Sequence, residues 1–230
     1  MKKWLLSIFL LLFTYQVATA SQTENTAELE AEIAAGLDVN TRDEEGNTLF
    51  YWFVTNSMSL KPLQILADAG ADVNAPSAAT GMTPLVYATS IAENARKNAY
   101  EQFSKTQTPV EQQIAEATLK KEIKEKLLYA IELTRFLIKS GADVNQETPF
   151  GTPLMSASTS DWNIDLVDYL LDSGAEVNQR DRNGRTALFY AAAYKSEAVT
   201  IKLLAAGADI NIKDNDGKNY MEISVEDLQK

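Results

Sequence analysis

The chain contains no cysteine and no histidine. Without thiols there can be no disulfide, no thiolate metal site and no bacterial lipid anchor, and without imidazole the usual general base of hydrolytic enzymes is missing. Acid–base or nucleophilic work would fall to carboxylates, lysines, tyrosines and hydroxyls. Positive charge is also scarce: 21 Lys and Arg face 32 Asp and Glu, for a net charge of −11. Such a body repels phosphate backbones, and no basic aromatic platform offsets it, so nucleic acid is excluded as a partner. No Asn stands two residues before Ser or Thr, so no N-glycosylation acceptor exists, which points to a bacterial rather than a eukaryotic export route. Long hydrophobic runs are absent too. The longest, within "MKKWLLSIFLLLFTYQVATA", turns polar at Thr14, after about ten apolar residues where about 20 are needed to span a bilayer.

That opening stretch, with Lys2 and Lys3, an apolar middle and the small-x-small exit Ala18-Thr19-Ala20, is expected to be a secretory signal peptide over residues 1–20. Cleavage after Ala20 would leave an acidic chain of net charge −13 with no stable membrane insertion. The periplasm is its expected place, or alternatively the medium, and a monomer its expected state. With 45% apolar residues over about 210 positions, a packed core can supply the stability that disulfides do not.

What is present in abundance is one pentapeptide. GLDVN at 36–40, GADVN at 70–74 and 141–145, GAEVN at 174–178 and GADIN at 207–211 place their glycines at steps of 34, 71, 33 and 33 residues. An apolar run at helical spacing precedes the copies ("LQILADAG", "TRFLIKSG", "LVDYLLDSG", "IKLLAAG"), so the glycine reads as a helix C-terminus in the left-handed conformation. A polar turn follows ("TRDEEGN", "QRDRNGR", "IKDNDGK"), and helix starts then read Thr48-Leu49, Thr83-Pro84-Leu85, Thr152-Pro153-Leu154 and Thr186-Ala187, with Thr as cap and Pro in the first helical position.

Turn, helix, connection, helix and glycine exit every 33 residues resembles the ankyrin repeat, whose pattern G-x-T-P-L-H-x-A…L-L…G-A-D-V-N these segments follow. The resemblance implies an all-α solenoid of helix-turn-helix pairs joined by hairpin turns. Its expected parts are an N-cap at 24–40, repeats at 41–74, 75–145, 146–178 and 179–211, and a C-cap at 212–230. The family histidine is replaced by Tyr51, Val86, Met155 and Phe189, so apolar packing is expected where a polar ladder normally runs. Trp52, Tyr87 and Tyr190 are assigned by the same resemblance to the leucine position of the core. The turn before Thr152 is one residue short, leaving its shape open.

The double step belongs to the second repeat, which runs 58 residues from Thr83 to Gly141 where the others run 21 or 22. A decayed repeat and a flexible loop are alternatives to a long helical-hairpin insertion over 91–130. The hairpin is preferred because no Gly or Pro interrupts Thr83 to Gly141 except Pro84 and Pro109, and Thr108-Pro109-Val110-Glu111 is a capping box. Glu93/Lys97, Glu101/Lys105, Glu116/Lys120 and Glu122/Lys126 suit exposed helices. Ala88, Ala92, Ala95, Ala99 and Phe103 would face Ile114, Leu119, Ile123 and Leu127. Lengthening each helix by roughly 18 residues gives an arm of about 27 Å that stands clear of the core. With seven Lys or Arg against six Glu it is nearly neutral.

Candidate chemistry is thin. Asp43-Glu44-Glu45 and Asp161 with Asp165 read as solvated turns or caps, and Asp214-Asn215-Asp216-Gly217 lacks the downstream glutamate of a calcium loop, so neither metal nor cofactor is expected. What the resemblance implies instead is binding of another protein through turn tips and inner helices. Its contact positions fall on Glu44, Glu45, Asn47, Thr55 and Asn56, on Arg182, Asn183, Arg185 and Tyr194, and on Asn215, Asp216 and Lys218. These run from acidic (Asp43 to Glu45) to basic (Arg180, Arg182, Arg185). A non-catalytic interaction module of the bacterial envelope is the expected function. An inhibitor or immunity protein that neutralises a secreted toxin or hydrolase is the alternative, and an enzyme using carboxylates a remote one.

Overall fold

The computed structural model describes residues 26–103 and 108–228. The segment read as a leader and the joint at 104–107 lie outside them. The described residues form two compact units, divided between Gly81 and Met82.

The first unit holds α1 (Thr26–Ala34), α2 (Leu49–Asn56) and α3 (Lys61–Asp68). Thr48 caps α2 by accepting the Tyr51 N–H, and Pro62 opens α3. Leu29, Phe50, Phe53, Leu63 and Leu66 are fully buried between these helices. Phe50 and Phe53 lie three residues apart and so on one face of α2. Trp52, assigned above to the core, is therefore turned aside and only half-buried. Tyr87 repeats this correction, the leucine position being held by fully buried Leu85, whereas Tyr190 is half-buried and does pack against the core that contains Leu188. The assignment was out of register by two residues.

The second unit contains α4 (Pro84–Phe103), α5 (Pro109–Lys139), α6 (Pro153–Ala157), a 3-10 turn (Asp161–Asn163), α7 (Ile164–Asp172), α8 (Ala187–Ala193), α9 (Glu197–Ala205) and α10 (Val225–Leu228). Its core gathers Leu154, Leu166, Leu170, Leu188, Val199 and Leu203 from α6 to α9. Val86, Met155 and Phe189, at the histidine position, are buried, and the Met155 sulfur accepts the Thr152 N–H at 3.4 Å. Among the described residues there is no strand, only isolated bridges at Arg42–Thr48 and Thr148–Gly151, and no helix is long and apolar enough to cross a membrane.

Each pentapeptide glycine has φ between 85° and 95°, closing the preceding helix as only glycine does without strain. The asparagine of the pentapeptide joins neighbouring repeats. Asn145 Nδ2 donates to the Gly174 carbonyl (3.1 Å) and its Oδ1 accepts the Glu176 N–H (2.9 Å). Asn178 treats Gly207 and Asp209 alike (3.0 and 2.8 Å), and in the first unit Asn40 treats Gly70 and Asp72 so (3.1 and 2.7 Å). Asp38, Asp72, Asp143 and Asp209 each accept the N–H of the asparagine two residues on, presetting its orientation.

Helices α4 and α5 pack along each other, and α4 also packs on α6 and the 3-10 turn. Ala88, Ala92, Ala95 and Leu119 are buried in this arrangement; the side chains of Ala99, Phe103 and Ile114 lie outside the described residues. The exposed Glu93/Lys97 pair expected from spacing is corrected here. Glu93 is only 5% exposed, gripped by Arg96 Nε and Nη2 at 2.8 Å each, with Lys97 at 3.9 Å. Arg96 and Lys97 stand on the same helix as Glu93, so this grip is local to α4, and contact with α8 comes from Lys97, 5.7 Å from the ring centroid of Tyr194.

Candidate functional site

The turns preceding the inner helices present the residues assigned to partner contact. In the first unit Asp43 Oδ1 accepts the N–H groups of Glu45 (3.0 Å) and Asn47 (2.8 Å), which fixes the tip. Arg42 Nη1 donates to the carbonyls of Gly46 (2.7 Å) and Pro76 (3.2 Å), so this arginine is committed to the backbone of its own turn and the next. Glu44 and Glu45 are exposed. Asn47 is half-buried, and its amide oxygen is buried without a hydrogen bond. Thr55 is half-buried, its hydroxyl donating to the carbonyls of Tyr51 and Trp52, whereas Asn56 is exposed and donates to Trp52 O and Thr55 Oγ.

In the second unit Asp181 plays the part of Asp43: Oδ1 accepts the N–H of Asn183 (2.9 Å) and Arg185 (2.8 Å), and Oδ2 accepts the Tyr190 hydroxyl (2.8 Å). Burial and then the Asp181 charge push the Tyr190 phenol well above its ordinary pKa. Arg180 donates to Gly184 O (3.0 Å) and Lys213 O (2.9 Å). Arg185, expected on the contact surface, is 3% exposed, with Nε 3.5 Å from the buried Asp214 Oδ2. Asp214 Oδ1 meanwhile accepts the N–H of Asp216 and Lys218. The basic end of the expected charge gradient therefore shrinks. Arg185 is spent inside the structure, Arg180 is exposed but committed to backbone carbonyls, and Arg182 is exposed 4.0 Å from Glu147.

Neighbouring turns are stitched together. Asn215 N–H donates to Asn183 O and its Nδ2 to Arg182 O, both at 2.8 Å, and Gln179 Nε2 donates to Asn145 O at 3.0 Å. Asn183, Asn215 and Asp216 are exposed on this row, and Lys218 is half-buried with Nζ 2.7 Å from Asp227, which raises its pKa. Tyr194, expected to be open, is half-buried: Lys97 Nζ lies 5.7 Å from its ring centroid, and burial, then Glu93, raise its pKa. The base of the arm thus covers part of the face from which Tyr194 would act. Among the described residues no three carboxylates gather into a metal-binding group. Asp161 caps α9 by accepting the Val199 N–H at 3.1 Å.

Sequence reasoning passed over Phe150. The shortened turn Thr148-Pro149-Phe150-Gly151 closes with Gly151 N–H on Thr148 O (3.0 Å) and Thr148 N–H on Gly151 O (3.1 Å), with Gly151 at φ 85°. Thr148 Oγ takes the place of the aspartate, accepting the Phe150 N–H at 3.1 Å and donating to Gly151 O at 2.9 Å. The result is a rigid tip with Phe150 48% exposed, an aromatic anchor where the other turns show polar groups. An apolar residue in a turn one residue short was the signal available.

A family model described as ankyrin repeats (3 copies) matches residues 127–214. No curated protein matches the chain. Ankyrin repeats mark a protein–protein interaction module, and the family is typically non-catalytic. Helix pairs closed by left-handed glycines, linked by an asparagine seam and presenting stitched turns, together with that match, make residues 127–214 ankyrin repeats.

Proposed function

We propose that the chain is an exported, non-catalytic binding module of the bacterial cell envelope that holds a protein partner on its turn tips. The row of turns in the second unit carries this reading. Its backbone is locked by hydrogen bonds before any partner arrives, and it exposes Phe150, Arg182, Asn183, Asn215 and Asp216. Preorganised aromatic tips bind with little loss of conformational entropy. The leader motif at 1–20 supports export, and the N-terminal mass of the protein recovered from an expressing bacterium tests it: Ser21 is expected, and an intact Met1 in the cytoplasm would overturn export.

The binding test is capture from an envelope fraction with purified wild-type chain and with Phe150→Ser. A partner held by the wild type and lost by the folded variant supports the reading; equal capture by both refutes the role of the tip. The arm favours a second reading, as an inhibitor that covers the active site of a toxin or hydrolase, because Lys97 anchors α4 over the Tyr194 ring at 5.7 Å. Replacing residues 99–117 with a short glycine-rich turn keeps that anchor. If the captured protein is a hydrolase, loss of inhibition by this variant supports the inhibitor reading, and full inhibition overturns it.

A further inference from the structure

Helix α5 carries its positive charge along one line. Lys120, Lys124, Leu128, Arg135 and Lys139 follow one another at intervals of four, four, seven and four residues, the spacing that keeps side chains on one face of a helix. All of them are exposed, Leu128 to 52%. The residues that pack, Leu119, Ala130, Leu133 and Leu137, are buried on the opposite side. Lys121 is exposed beside the line, its Nζ 3.9 Å from Glu125. Arg135 lies with its guanidinium 5.4 Å from the ring centroid of Tyr169, a contact that steadies the side chain without neutralising it. From Lys120 to Lys139 the line is about 28 Å long at 1.5 Å per residue.

The acids of the same stretch stand elsewhere. Glu125 and Glu132, themselves seven residues apart, lie along one flank, and Glu122 is nearer the far side. A count of charges makes the arm nearly neutral, but their placement gives it one outward face that is positive, on a protein of net charge −11. At physiological ionic strength charges are screened beyond about 8 Å. The acidity of other surfaces therefore does not cancel this face for anything that touches it.

We propose that this face of α5 rests on an anionic lipid surface, its lysines among the headgroup phosphates and Leu128 dipping toward the acyl chains. The composition of the face favours lipid over an acidic protein. Its cations are mostly lysine, which is depleted from protein–protein interfaces and meets phosphate as a compact point charge that demands no fixed geometry. Clustered lysines on a helix face are the pattern that reads anionic headgroups, and an apolar side chain among them is what lets a helix lie in the interface plane. Adsorption of this kind needs no spanning helix, and among the described residues none is long and apolar enough to cross a membrane. The inference goes beyond the turn-tip reading and does not rest on it, since Phe150 and the residues exposed with it lie on other elements.

The test is co-flotation of the purified chain with vesicles of phosphatidylglycerol and phosphatidylcholine in equal parts, and with vesicles of phosphatidylcholine alone. The chain should float with the first and not with the second, and about 0.5 M NaCl should release it. Equal binding to both, as the apolar stretch at 1–20 would give, overturns the proposal. Lys120→Gln, Lys121→Gln and Lys124→Gln together should weaken binding at least about tenfold, with circular dichroism checking that the helices are kept. Removing as many charges elsewhere, with Lys61→Gln, Lys195→Asn and Lys213→Gln, should leave it nearly unchanged. Because the chain has no cysteine, Leu128→Cys can carry an environment-sensitive fluorophore. Its emission should shift to the blue on the anionic vesicles, and the same label on Glu176→Cys should not respond. A triple variant that floats as well as the wild type overturns the proposal, as does a label at position 128 that stays in water. So does a chain that ignores the vesicles yet is retained by immobilised polyglutamate through the same lysines, which would assign the face to an acidic protein. Phe150→Ser should float as the wild type does, which separates this contact from partner capture.

Discussion

The third and fourth turns stand next to each other in one unit and solve the same problem with opposite chemistry. The fourth uses an acid and two arginines: Asp181 ties the tip, Arg180 bridges to the next turn and Arg185 sinks beside Asp214. The third uses a buried hydroxyl and a proline, with Thr148 closing a shorter loop on Gly151. The charged solution turns its side chains inward and leaves a polar tip. The neutral one needs no inward side chain beyond Thr148, and the residue it releases, Phe150, points to solvent. Charge in the sequence here marks structure, while the apolar residue marks surface, the reverse of the usual expectation.

Substitutions that exchange or remove these devices separate them. Asp214→Ala should have the largest effect, about 3 to 5 kcal/mol in chemical denaturation, because it leaves Arg185 buried and unpaired. Removing both charges together, with Arg185→Met and Asp214→Leu, should recover most of that loss. If the single variant costs under about 1 kcal/mol, Arg185 escapes to water and the turn does not depend on the pair.

Tyr190→Phe should cost about 1 to 2 kcal/mol at neutral pH, the loss of a hydrogen bond to a carboxylate. This difference should depend on pH with a definite sign. The folded phenol lies above its ordinary value of 10.0, so below pH 10 the contribution is present in full. Above it the unfolded chain releases a proton that the folded chain keeps, and the margin of the wild type over the variant should shrink as pH rises. A margin that is flat or widens from pH 9 to 11 would contradict the buried, Asp181-bonded phenol.

The neutral turn should be less demanding. Thr148→Val removes two short hydrogen bonds in a loop still held by proline and glycine, and should cost about 1 kcal/mol, read by melting temperature. Phe150→Ser should change stability by no more than about 0.5 kcal/mol, as for an exposed side chain, while reducing partner capture. A large loss of stability there would move Phe150 from surface to core.

The parts of this molecule that were legible in the sequence are those where backbone geometry admits few residues. Glycine at φ near 90° had to appear at each helix exit, and Thr-Pro marked the starts of α4 and α6. Helical content through the double step was readable because between Pro84 and Gly141 only Pro109 interrupts a helix. What could not be read was the direction of a side chain. Arg180, Arg182 and Arg185 look equivalent as a basic run, yet Arg185 is buried and Arg180 is held by carbonyls, because an arginine near a turn is satisfied as readily by carbonyls and a buried carboxylate as by solvent. Glu93 looked like half of a surface pair and is instead enclosed, since spacing along one helix says nothing of the helix packed above it. Trp52 and Tyr87 show that an error of two residues in register turns an aromatic away from the core.

The asparagine seam has a consequence for how such a chain can grow. Asn145 follows a helix of 31 residues and Asn178 one of nine, yet their bonds to the next repeat agree within about 0.1 Å. The seam runs along the glycine end of the helix pairs, and the extra length of α4 and α5 was added at the other end. At the glycine end the chain is closely held: the steps from Gly36, Gly141 and Gly174 are 34, 33 and 33 residues, and the same bridge forms across each. At the far end it is free, and a guest segment can be spliced between paired helices without disturbing the count. The molecule thus keeps its arithmetic on one side and its capacity for novelty on the other, which makes the joint of the arm the natural place to graft a foreign sequence.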